Sequence, residues 1–308
     1  MEHIFITDVA PRDGLQSQAV TVSTCNKLRL IRALADAGVR SVEATSFVSP
    51  KAVPQMADAA EVIAGLRFLE SETGLRASAL APNLKGLERA TAAGAREIAV
   101  VISATKAMNL KNINMSLAEA EENCKATLHA ARASGLATRA YIAVAWECPF
   151  EGVTDPDTVV RLAAAMRVAG AGEIVIADTI GAAAPGQVAA LLRMLTQSIP
   201  LDMLAVHFHD TRGMGAANAY AALEAGVRRF DASVGGIGGC PFAPGAAGNL
   251  ATEDLVMLAH QCGFTTGIEL NALLLAVDMS EAFLDRPLGG RSMPWLRNRQ
   301  QQRVAQGS

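Results

Sequence analysis

The stretch LADAGVRSVEATSF, residues 34–47, contains the pattern that decides the fold: a helix-like segment, an Ala-Gly pair and a β-rich run. Glycine after a helix takes the left-handed conformation that ends the helix before the chain turns into a strand. The run that follows is apolar and β-branched, as is typical of a parallel strand covered on both faces. Similar patterns recur at residues 91–103, 168–179 and 223–236.

Collecting all such runs gives eight predicted strands with helical patterns between them, which is the element count and size of a TIM barrel. The predicted strands are residues 3–10, 41–47, 76–82, 97–103, 138–145, 173–179, 203–210 and 229–235. An open doubly wound sheet is the alternative, but no GxGxxG follows the first strand, and eight evenly spread strands favour closure. We therefore predict an α/β fold, a (β/α)8 TIM barrel with additional C-terminal helices.

No low-complexity linker divides the chain, so we predict a single catalytic domain over residues 1–308. The barrel takes about residues 3–255, and a C-terminal helical extension takes about residues 256–295. A polar tail follows over residues 296–308, and its low apolar content leads us to expect a mobile segment.

The composition is typical of an α/β protein and argues against several classes of partner. Of the 308 residues, 51% are hydrophobic and only 4% aromatic, which suits small helical residues packing on a β-branched sheet. The net charge of −3 comes without a basic stripe, so we expect no nucleic-acid partner. No apolar run is long enough to span a bilayer, so we expect no membrane association.

The cysteines point to a reducing compartment. They are odd in number, widely spaced and without a CxxC pair: Cys25, Cys124, Cys148, Cys240 and Cys262. A disulfide framework is therefore not expected, and a cytoplasmic location is favoured. No apolar h-region follows the N-terminus, so no signal peptide is expected.

Two histidines, His207 and His209, stand two residues apart at the end of the seventh predicted strand. Side chains two apart on a strand share a face, and the carboxyl ends of barrel strands face the active site. Both imidazoles can therefore reach one ion, and Asp13, after the first strand, can add a hard oxygen. This set suits Mg²⁺, Mn²⁺ or Zn²⁺ and does not choose among them. The alternative is a pair of polar residues that bond to nearby loops.

Arg12 and Cys240 are the other candidates for chemistry. A guanidinium beside a metal can stabilise the charge of a developing enolate, although an RDG tripeptide also forms simple surface turns. Cys240 lies in a glycine-rich segment and can donate or accept a proton. A loop cysteine without a chemical role explains the same pattern.

Taken together, these segments closely resemble the 3-hydroxy-3-methylglutaryl-CoA lyase family, within the metal-dependent TIM-barrel lyases. The likeness runs collinearly over residues 4–267, and the last segment is the most specific. The segments are APRDGLQ (10–16), SVEATSFVSPKAVPQMAD (41–58), APNLKGLERATAAGA (81–95), LKNINMS (110–116), CPFEG (148–152), ADTIGAAAPGQV (177–188), VHFHDTRG (206–213) and GGIGGCPFAPGAAGNLATEDLV (235–256).

The resemblance implies a role for each matching position. The implied ligands of a Mg²⁺ or Mn²⁺ ion are Asp13, His207, His209 and Asn249. The implied catalytic residues are Arg12, Asp13, Glu43, Asp178, His207, Cys240 and Glu253. The expected substrate-binding residues are Arg12, Gln16, Ser46, Arg139, Tyr141, Trp146, Thr179 and Arg212. Lys111 and Asn112 are expected to border the entrance for coenzyme A.

The resemblance also implies an activity: metal-dependent retro-Claisen cleavage of an acyl-CoA into acetyl-CoA and a keto acid, acetoacetate for the family's usual substrate. It further implies a homodimer and a place in leucine degradation. The chain departs from the family pattern at Trp146, Glu147 and Arg212, so a citramalyl-type or longer-branched glutaryl-type thioester is an alternative substrate. Two further alternatives are an aldolase acting on a free 2-keto acid and a barrel that has lost catalysis and serves as a binding module.

Overall fold

The computed structural model describes residues 1–239 and 248–305. Within these ranges eight parallel strands close into a barrel, which confirms the predicted fold class. The barrel strands are β1 (Phe5–Asp8), β2 (Ser41–Ser46), β3 (Arg76–Leu80), β4 (Glu97–Ser103), β5 (Ala137–Ala143), β8 (Glu173–Asp178), β9 (Leu204–Phe208) and β10 (Arg229–Ala232). Neighbouring strands follow the order β1-β10-β9-β8-β5-β4-β3-β2. A short antiparallel hairpin, β6 (Glu147–Cys148) with β7 (Gly152–Val153), follows β5 and is not predicted by the sequence pattern.

Helices alternate with the barrel strands and pack around them, and two more follow the barrel. They are α1 (Thr24–Asp36), α2 (Ala59–Thr73), α3 (Leu84–Ala93), α4 (Lys106–Ile113), α5 (Leu117–Ala133), α6 (Pro156–Val168), α7 (Pro185–Leu195), α8 (Gly215–Glu224), α9 (Thr252–Gln261), α10 (Leu270–Leu284) and α11 (Met293–Ala305). A single π-helical turn, Ala10–Gly14, follows β1. Across the described ranges, no helix combines the length and the apolar character that crossing a bilayer requires.

The Ala-Gly pair between α1 and β2 also meets the C-terminal part of the chain. Gly38 has a φ of +102°, and a Cβ placed on it would lie 2.1 Å from the carbonyl oxygen of Gly267. Close by, the backbone N–H of Glu269 donates to the carbonyl oxygen of Ala37 at 2.8 Å. Only glycine fits both the backbone conformation and the close approach. The same residue therefore ends α1 and allows the segment before α10 to dock on the barrel.

Side chains along each barrel strand alternate between the barrel interior and the surrounding helices. An apolar cluster in the barrel interior consists of Leu80, Ala99, Tyr141, Val175 and Ala205. Outward-facing residues of the same strands belong to the larger apolar core between the sheet and the helices. Near the carboxyl ends of the strands, His207 and His209 lie close to Asp13 of the turn after β1, and this is where the candidate site lies.

The C-terminal segment differs from the prediction. A polar tail is predicted over residues 296–308, but α11 continues as a helix to Ala305. The tail prediction rested on low apolar content, whereas residues 295–305 contain neither glycine nor proline and are rich in arginine and glutamine, which favour helix. Arg299 also stacks on Trp295, with the guanidinium carbon 5.2 Å from the ring centroid.

Candidate active site

The π-helical turn after β1 carries Arg12 and Asp13 at the carboxyl end of the barrel. Asp8, the last residue of β1, holds this turn in place. Its buried carboxylate accepts hydrogen bonds from the backbone N–H of Ala10 at 2.9 Å and from the hydroxyl of Thr252 at 2.7 Å. Burial raises the pKa of Asp8 to about 6, although the hydrogen bonds act in the opposite direction. The geometry of the turn is thus tied to the start of α9.

Arg12 is buried between two carboxylates. Its Nε donates to Glu43 Oε2 at 2.6 Å, and its Nη1 donates to Asp13 Oδ1 at 2.8 Å. The guanidinium carbon also lies 5.9 Å from the ring centroid of Tyr141. Burial acts to lower the pKa of Arg12, but Glu43 and then Asp13 raise it well above its ordinary value. The guanidinium is therefore charged and fixed in orientation beside Asp13.

Three side chains converge in the way that a metal site requires. One ligand atom from each of Asp13, His207 and His209 lies within 4.8 Å of the other two. The two histidines are buried, and both face the barrel interior because they stand two apart at the end of β9. Among the described residues, this is the group of histidine, cysteine and acidic side chains that has metal-binding geometry.

Asn249 extends this group. Its Nδ2 donates to Asp13 Oδ2 at 2.9 Å and to the carbonyl oxygen of Ile237 at 3.0 Å. Its Oδ1 is buried and has no hydrogen-bond partner within the described ranges. A buried amide oxygen is costly to leave without a partner, and a cation would satisfy it. Two imidazoles, a carboxylate and an amide oxygen fit a divalent cation such as Mg²⁺ or Mn²⁺.

The charges of this group favour an ionised Asp13. Burial acts to raise the pKa of Asp13, but Arg12 and then His207 and His209 bring it below its ordinary value. Burial likewise acts to lower the pKa of His207, but the hydrogen bond with Asp231 and the charge of Asp13 raise it. A carboxylate must be deprotonated to bind a cation, so Asp13 is already in the binding form at neutral pH.

Asp231 is a buried carboxylate that the sequence reasoning missed. Its Oδ1 accepts a hydrogen bond from Arg139 at 2.6 Å, and its Oδ2 accepts one from the Tyr141 hydroxyl at 2.8 Å. The same Oδ2 lies 3.4 Å from Nδ1 of His207. Burial acts to raise the pKa of Asp231, but Arg139 and then His207 lower it to about 2. Strand register is the observation that identifies Asp231, because this residue lies directly opposite His207 in the pairing of β10 with β9.

A cavity of about 180 Å³ opens beside these side chains. Its lining includes eight of the residues predicted for the site: Arg12, Asp13, Gln16, Asn112, Tyr141, Thr179, His207 and His209. The other lining residues were not predicted and are mostly small or apolar: Leu80, Val101, Ser103, Met108, Ala143, Ala177 and Gly239. The cavity therefore combines the charged and polar side chains of Arg12, Asp13 and the two histidines with small and apolar lining residues.

Comparison with known protein families decides the family of this chain. The HMGL-like family model matches residues 3–279, which include both the turn after β1 and Asn249. The chain belongs to the HMGL-like family.

Individual HMGL-like relatives match the chain over nearly its whole length. The hydroxymethylglutaryl-CoA lyase of Pseudomonas mevalonii is 44% identical over 273 residues, which are 89% of this chain and 90% of the relative. The solved structure of hydroxymethylglutaryl-CoA lyase from Pseudomonas aeruginosa is 40% identical, with a TM-score of 0.92, and covers 97% of this chain and 98% of its own. A hydroxymethylglutaryl-CoA lyase from Acinetobacter baumannii, solved with coenzyme A and 3-methylmalate, is 38% identical with a TM-score of 0.89 over 95% and 94% of the two chains.

Several residues predicted to bind substrate lie outside the cavity lining in this HMGL-like barrel. Trp146 is buried against Phe208, with ring centroids 5.8 Å apart. Phe208 alternates with the two histidines of β9 and so faces the helices, which places Trp146 in the outer core. Arg212 is exposed and donates to the carbonyl oxygen of Gly181 at 3.0 Å. Neither side chain is part of the cavity lining among the described residues.

Three other predicted residues also have positions of their own. Arg139 faces the barrel interior but lies two residues before Tyr141 on β5, one layer below the cavity. Ser46 is buried at the end of β2 beside Leu80 and does not line the cavity. Of the two residues predicted to border the coenzyme A entrance, Asn112 lines the cavity, and Lys111, its neighbour on α4, is exposed.

Asp178 and Glu253, predicted as catalytic, accept hydrogen bonds from backbone N–H groups. Asp178 accepts hydrogen bonds from the backbone N–H of Ala182 at 2.8 Å and of Ala183 at 3.0 Å. Burial raises the pKa of Asp178 to about 6. Glu253 accepts from Gly235 at 3.1 Å and from Gly290 at 2.7 Å. Neither carboxylate lines the cavity. Cys240, also predicted as catalytic, lies outside the described residues.

Burial raises the pKa of Glu253 to about 7, from an ordinary value of 4.5. Its proton is therefore held more tightly in the folded chain. Protonated Glu253 therefore contributes to the free energy of unfolding. This contribution is fully present below pH 4.5 and is lost as the pH rises through about 7. A shift of this size corresponds to about 3 kcal/mol. We expect the difference in unfolding free energy, wild type minus Glu253→Gln, to fall by about this amount between pH 4.5 and pH 8.

Urea unfolding at several pH values measures this difference. Glu224→Gln is the matched control, since Glu224 is exposed at the end of α8. A difference between wild type and Glu253→Gln that does not change with pH would contradict the expectation.

Proposed function

We propose that this chain is a divalent-metal-dependent lyase that cleaves hydroxymethylglutaryl-CoA into acetyl-CoA and acetoacetate. The observation that carries the proposal is the convergence of Asp13, His207 and His209 beside Arg12, on a cavity in a chain 44% identical to a hydroxymethylglutaryl-CoA lyase. In the proposed retro-Claisen step the C3 hydroxyl loses its proton and the bond between C2 and C3 breaks. The electron pair passes to C2 as a thioester enolate, C3 becomes the ketone of acetoacetate, and a proton returned to C2 gives acetyl-CoA.

A divalent cation held by Asp13, His207, His209 and Asn249 would supply Lewis-acid stabilisation of negative charge on the substrate oxygens. Arg12 would supply a second positive charge. Its Nε and Nη2 are close to Glu43, and one Nη1 hydrogen is used by Asp13. Because a guanidinium carries five N–H donors, about two remain for an oxygen in the cavity that Arg12 lines. Such a fixed donor beside a developing enolate is typical of electrostatic catalysis.

The cavity lining supports the family's usual substrate. Trp146, Glu147 and Arg212 are the departures that make a different acyl group an alternative, and none of them is part of the cavity lining among the described residues. The rest of the lining consists mostly of small and apolar side chains, among them Ala143 and Ala177, which suit a short branched acyl chain. Met108 and Asn112 of α4 extend the lining toward the segment predicted to border the coenzyme A entrance. The relative solved with coenzyme A supports a thioester substrate.

A substrate panel tests the proposal. Purified chain with Mg²⁺ or Mn²⁺ is assayed against hydroxymethylglutaryl-CoA, citramalyl-CoA and a free 2-keto-4-hydroxy acid. We expect equimolar acetyl-CoA and acetoacetate from the first, and a kcat/KM at least about 10-fold above that for the other thioester, the ratio that a few acyl-group contacts can provide. Faster cleavage of the free acid, without coenzyme A, would overturn the proposal in favour of an aldolase.

Several finer features of the function rest on the resemblance and stay predictions. They are the choice of Mg²⁺ or Mn²⁺ over other cations, proton transfer by Cys240, assembly as a homodimer, a cytoplasmic location and a role in leucine degradation. Size-exclusion chromatography with light scattering tests the assembly. Metal analysis of the purified chain tests the choice of cation.

A further inference from the structure

Asp231, on β10, has hydrogen bonds or close contacts with side chains of two other barrel strands. Its side chain has no solvent exposure, and its neighbours are Arg139 and Tyr141 on β5 and His207 on β9. Arg139 is itself held at its other end, because its Nε donates to Glu173 Oε1 at 2.7 Å. With one oxygen bound to Arg139 and the other to the Tyr141 hydroxyl, the carboxylate cannot rotate freely. Oδ2 therefore stays in place beside the imidazole.

The contact between Asp231 and His207 bears on the cation site. An imidazole binds a metal through an unprotonated nitrogen, and its other nitrogen then carries the proton. Oδ2 of Asp231 can only accept a hydrogen bond when ionised, so Nδ1 of His207 must donate to it. This leaves Nε2 of His207 unprotonated and available to the group formed with Asp13 and His209.

An ion pair with Arg139 alone would not account for this arrangement. Arg139 contacts Oδ1, whereas the oxygen facing His207 is Oδ2, which has a separate donor in Tyr141. Across the β10 and β9 pair, Asp231 is in direct register with His207, so the backbone itself sets their separation. The carboxylate is thus positioned by two other side chains and by the sheet, and its remaining contact is with a candidate ligand.

We propose that Asp231 is a positioning residue that fixes the tautomer and orientation of His207 for cation binding. The inference rests on the proposed function, because it needs His207 to be a ligand. It extends the site by a residue that does not itself line the cavity and acts on the cation group through His207.

Asp231→Asn is the direct test. Arg139 requires an acceptor, so the amide oxygen takes the place of Oδ1 and the amide NH₂ replaces Oδ2. Two donors would then face each other unless His207 moves its proton from Nδ1 to Nε2, the atom needed for the cation. We expect the Kd for Mn²⁺, measured by electron paramagnetic resonance of free Mn²⁺, to rise about 10- to 100-fold, as when an outer-shell partner of a ligand is lost.

Glu173→Gln is the matched control. It alters the same buried network at the far end of Arg139, without touching His207, and is expected to leave the Kd for Mn²⁺ within about twofold of wild type. An Asp231→Asn chain that folds and binds Mn²⁺ as tightly as wild type would overturn the inference alone. A wild-type chain that binds no Mn²⁺ would overturn the proposed function, and this inference with it.

A second measurement does not depend on the variant folding. Long-range ¹H–¹⁵N spectra of the metal-free wild type at pH 8.5 report which ring nitrogen of each neutral histidine carries the proton. We expect the Nδ1–H tautomer for His207. Observation of the Nε2–H tautomer would overturn the inference.

Discussion

Replacing Asp13 with asparagine is expected to lower kcat for thioester cleavage by about 10³-fold or more, equivalent to about 4 kcal/mol of transition-state stabilisation. Asp13 is the acidic member of the group formed with His207 and His209, and it also accepts hydrogen bonds from Arg12 and Asn249. Asparagine has nearly the same shape but carries no charge to attract a cation. Steady-state kinetics with saturating Mn²⁺, together with metal analysis of the purified variant, measure both consequences.

Asp202→Asn is the matched control for this variant. Asp202 is exposed and precedes β9, at the end of the barrel opposite the cavity, so the same chemical change there should leave kcat and metal content as in wild type. If Asp13→Asn kept both its metal and a kcat within tenfold of wild type, Asp13 would not be a ligand.

Replacing Arg12 with lysine is expected to lower kcat about 10²- to 10³-fold, the usual cost of removing one fixed donor from a developing negative charge. The guanidinium contacts Glu43 and Asp13 together, which its planar fork permits. A lysine ammonium keeps the positive charge but is a point donor on a flexible stem, so it cannot hold both carboxylates and also face the cavity. The loss should fall mainly on kcat, since the interaction strengthens in the transition state.

Metal content separates this effect from that of Asp13→Asn. We expect Arg12→Lys to retain its cation, since Arg12 is not a ligand. The control is Arg76→Lys, at the largely exposed start of β3, which is expected to keep the wild-type kcat. A normal kcat in Arg12→Lys, or a loss of kcat fully explained by lost metal, would contradict the assigned role.

Most of the fold could be predicted from the sequence. Each barrel strand overlaps its predicted range, and the fourth, Glu97–Ser103, matches it residue for residue. The errors lie at the ends of strands: the first was predicted to extend to residue 10, but Asp8 accepts the Ala10 N–H and bends the chain into the π-helical turn. Apolar periodicity does not register such side-chain to backbone bonds, which decide where a strand stops.

Less of the candidate site could be predicted. To place a residue in the site, one must know whether its side chain points into the barrel and how close it lies to the carboxyl end of its strand. Both could be predicted for His207 and His209. Their two-residue spacing puts the side chains on one face of the strand, and their position at its end puts them at the barrel mouth. Arg139 has the right face but lies one layer too deep, and Trp146 follows the end of β5, where strand alternation no longer applies.

Asp231 shows the opposite error. It stands on a predicted strand, yet nothing in its immediate sequence marks it, since the neighbouring Phe230 and Ala232 are apolar core residues. Its importance comes from Arg139, Tyr141 and His207, which are 92, 90 and 24 residues away in the chain. Only the register of the closed barrel brings these side chains together.

The central claim is that thioester cleavage takes place at a cation site formed by Asp13, His207 and His209. The most direct test is to titrate metal-free chain with Mn²⁺ while following bound Mn²⁺ and acetyl-CoA release from hydroxymethylglutaryl-CoA in the same sample. We predict no turnover without metal, and a rate that rises in proportion to bound Mn²⁺ and levels off at one ion per chain. Full turnover by the metal-free chain, or saturation with Mn²⁺ without release of acetyl-CoA, would contradict it.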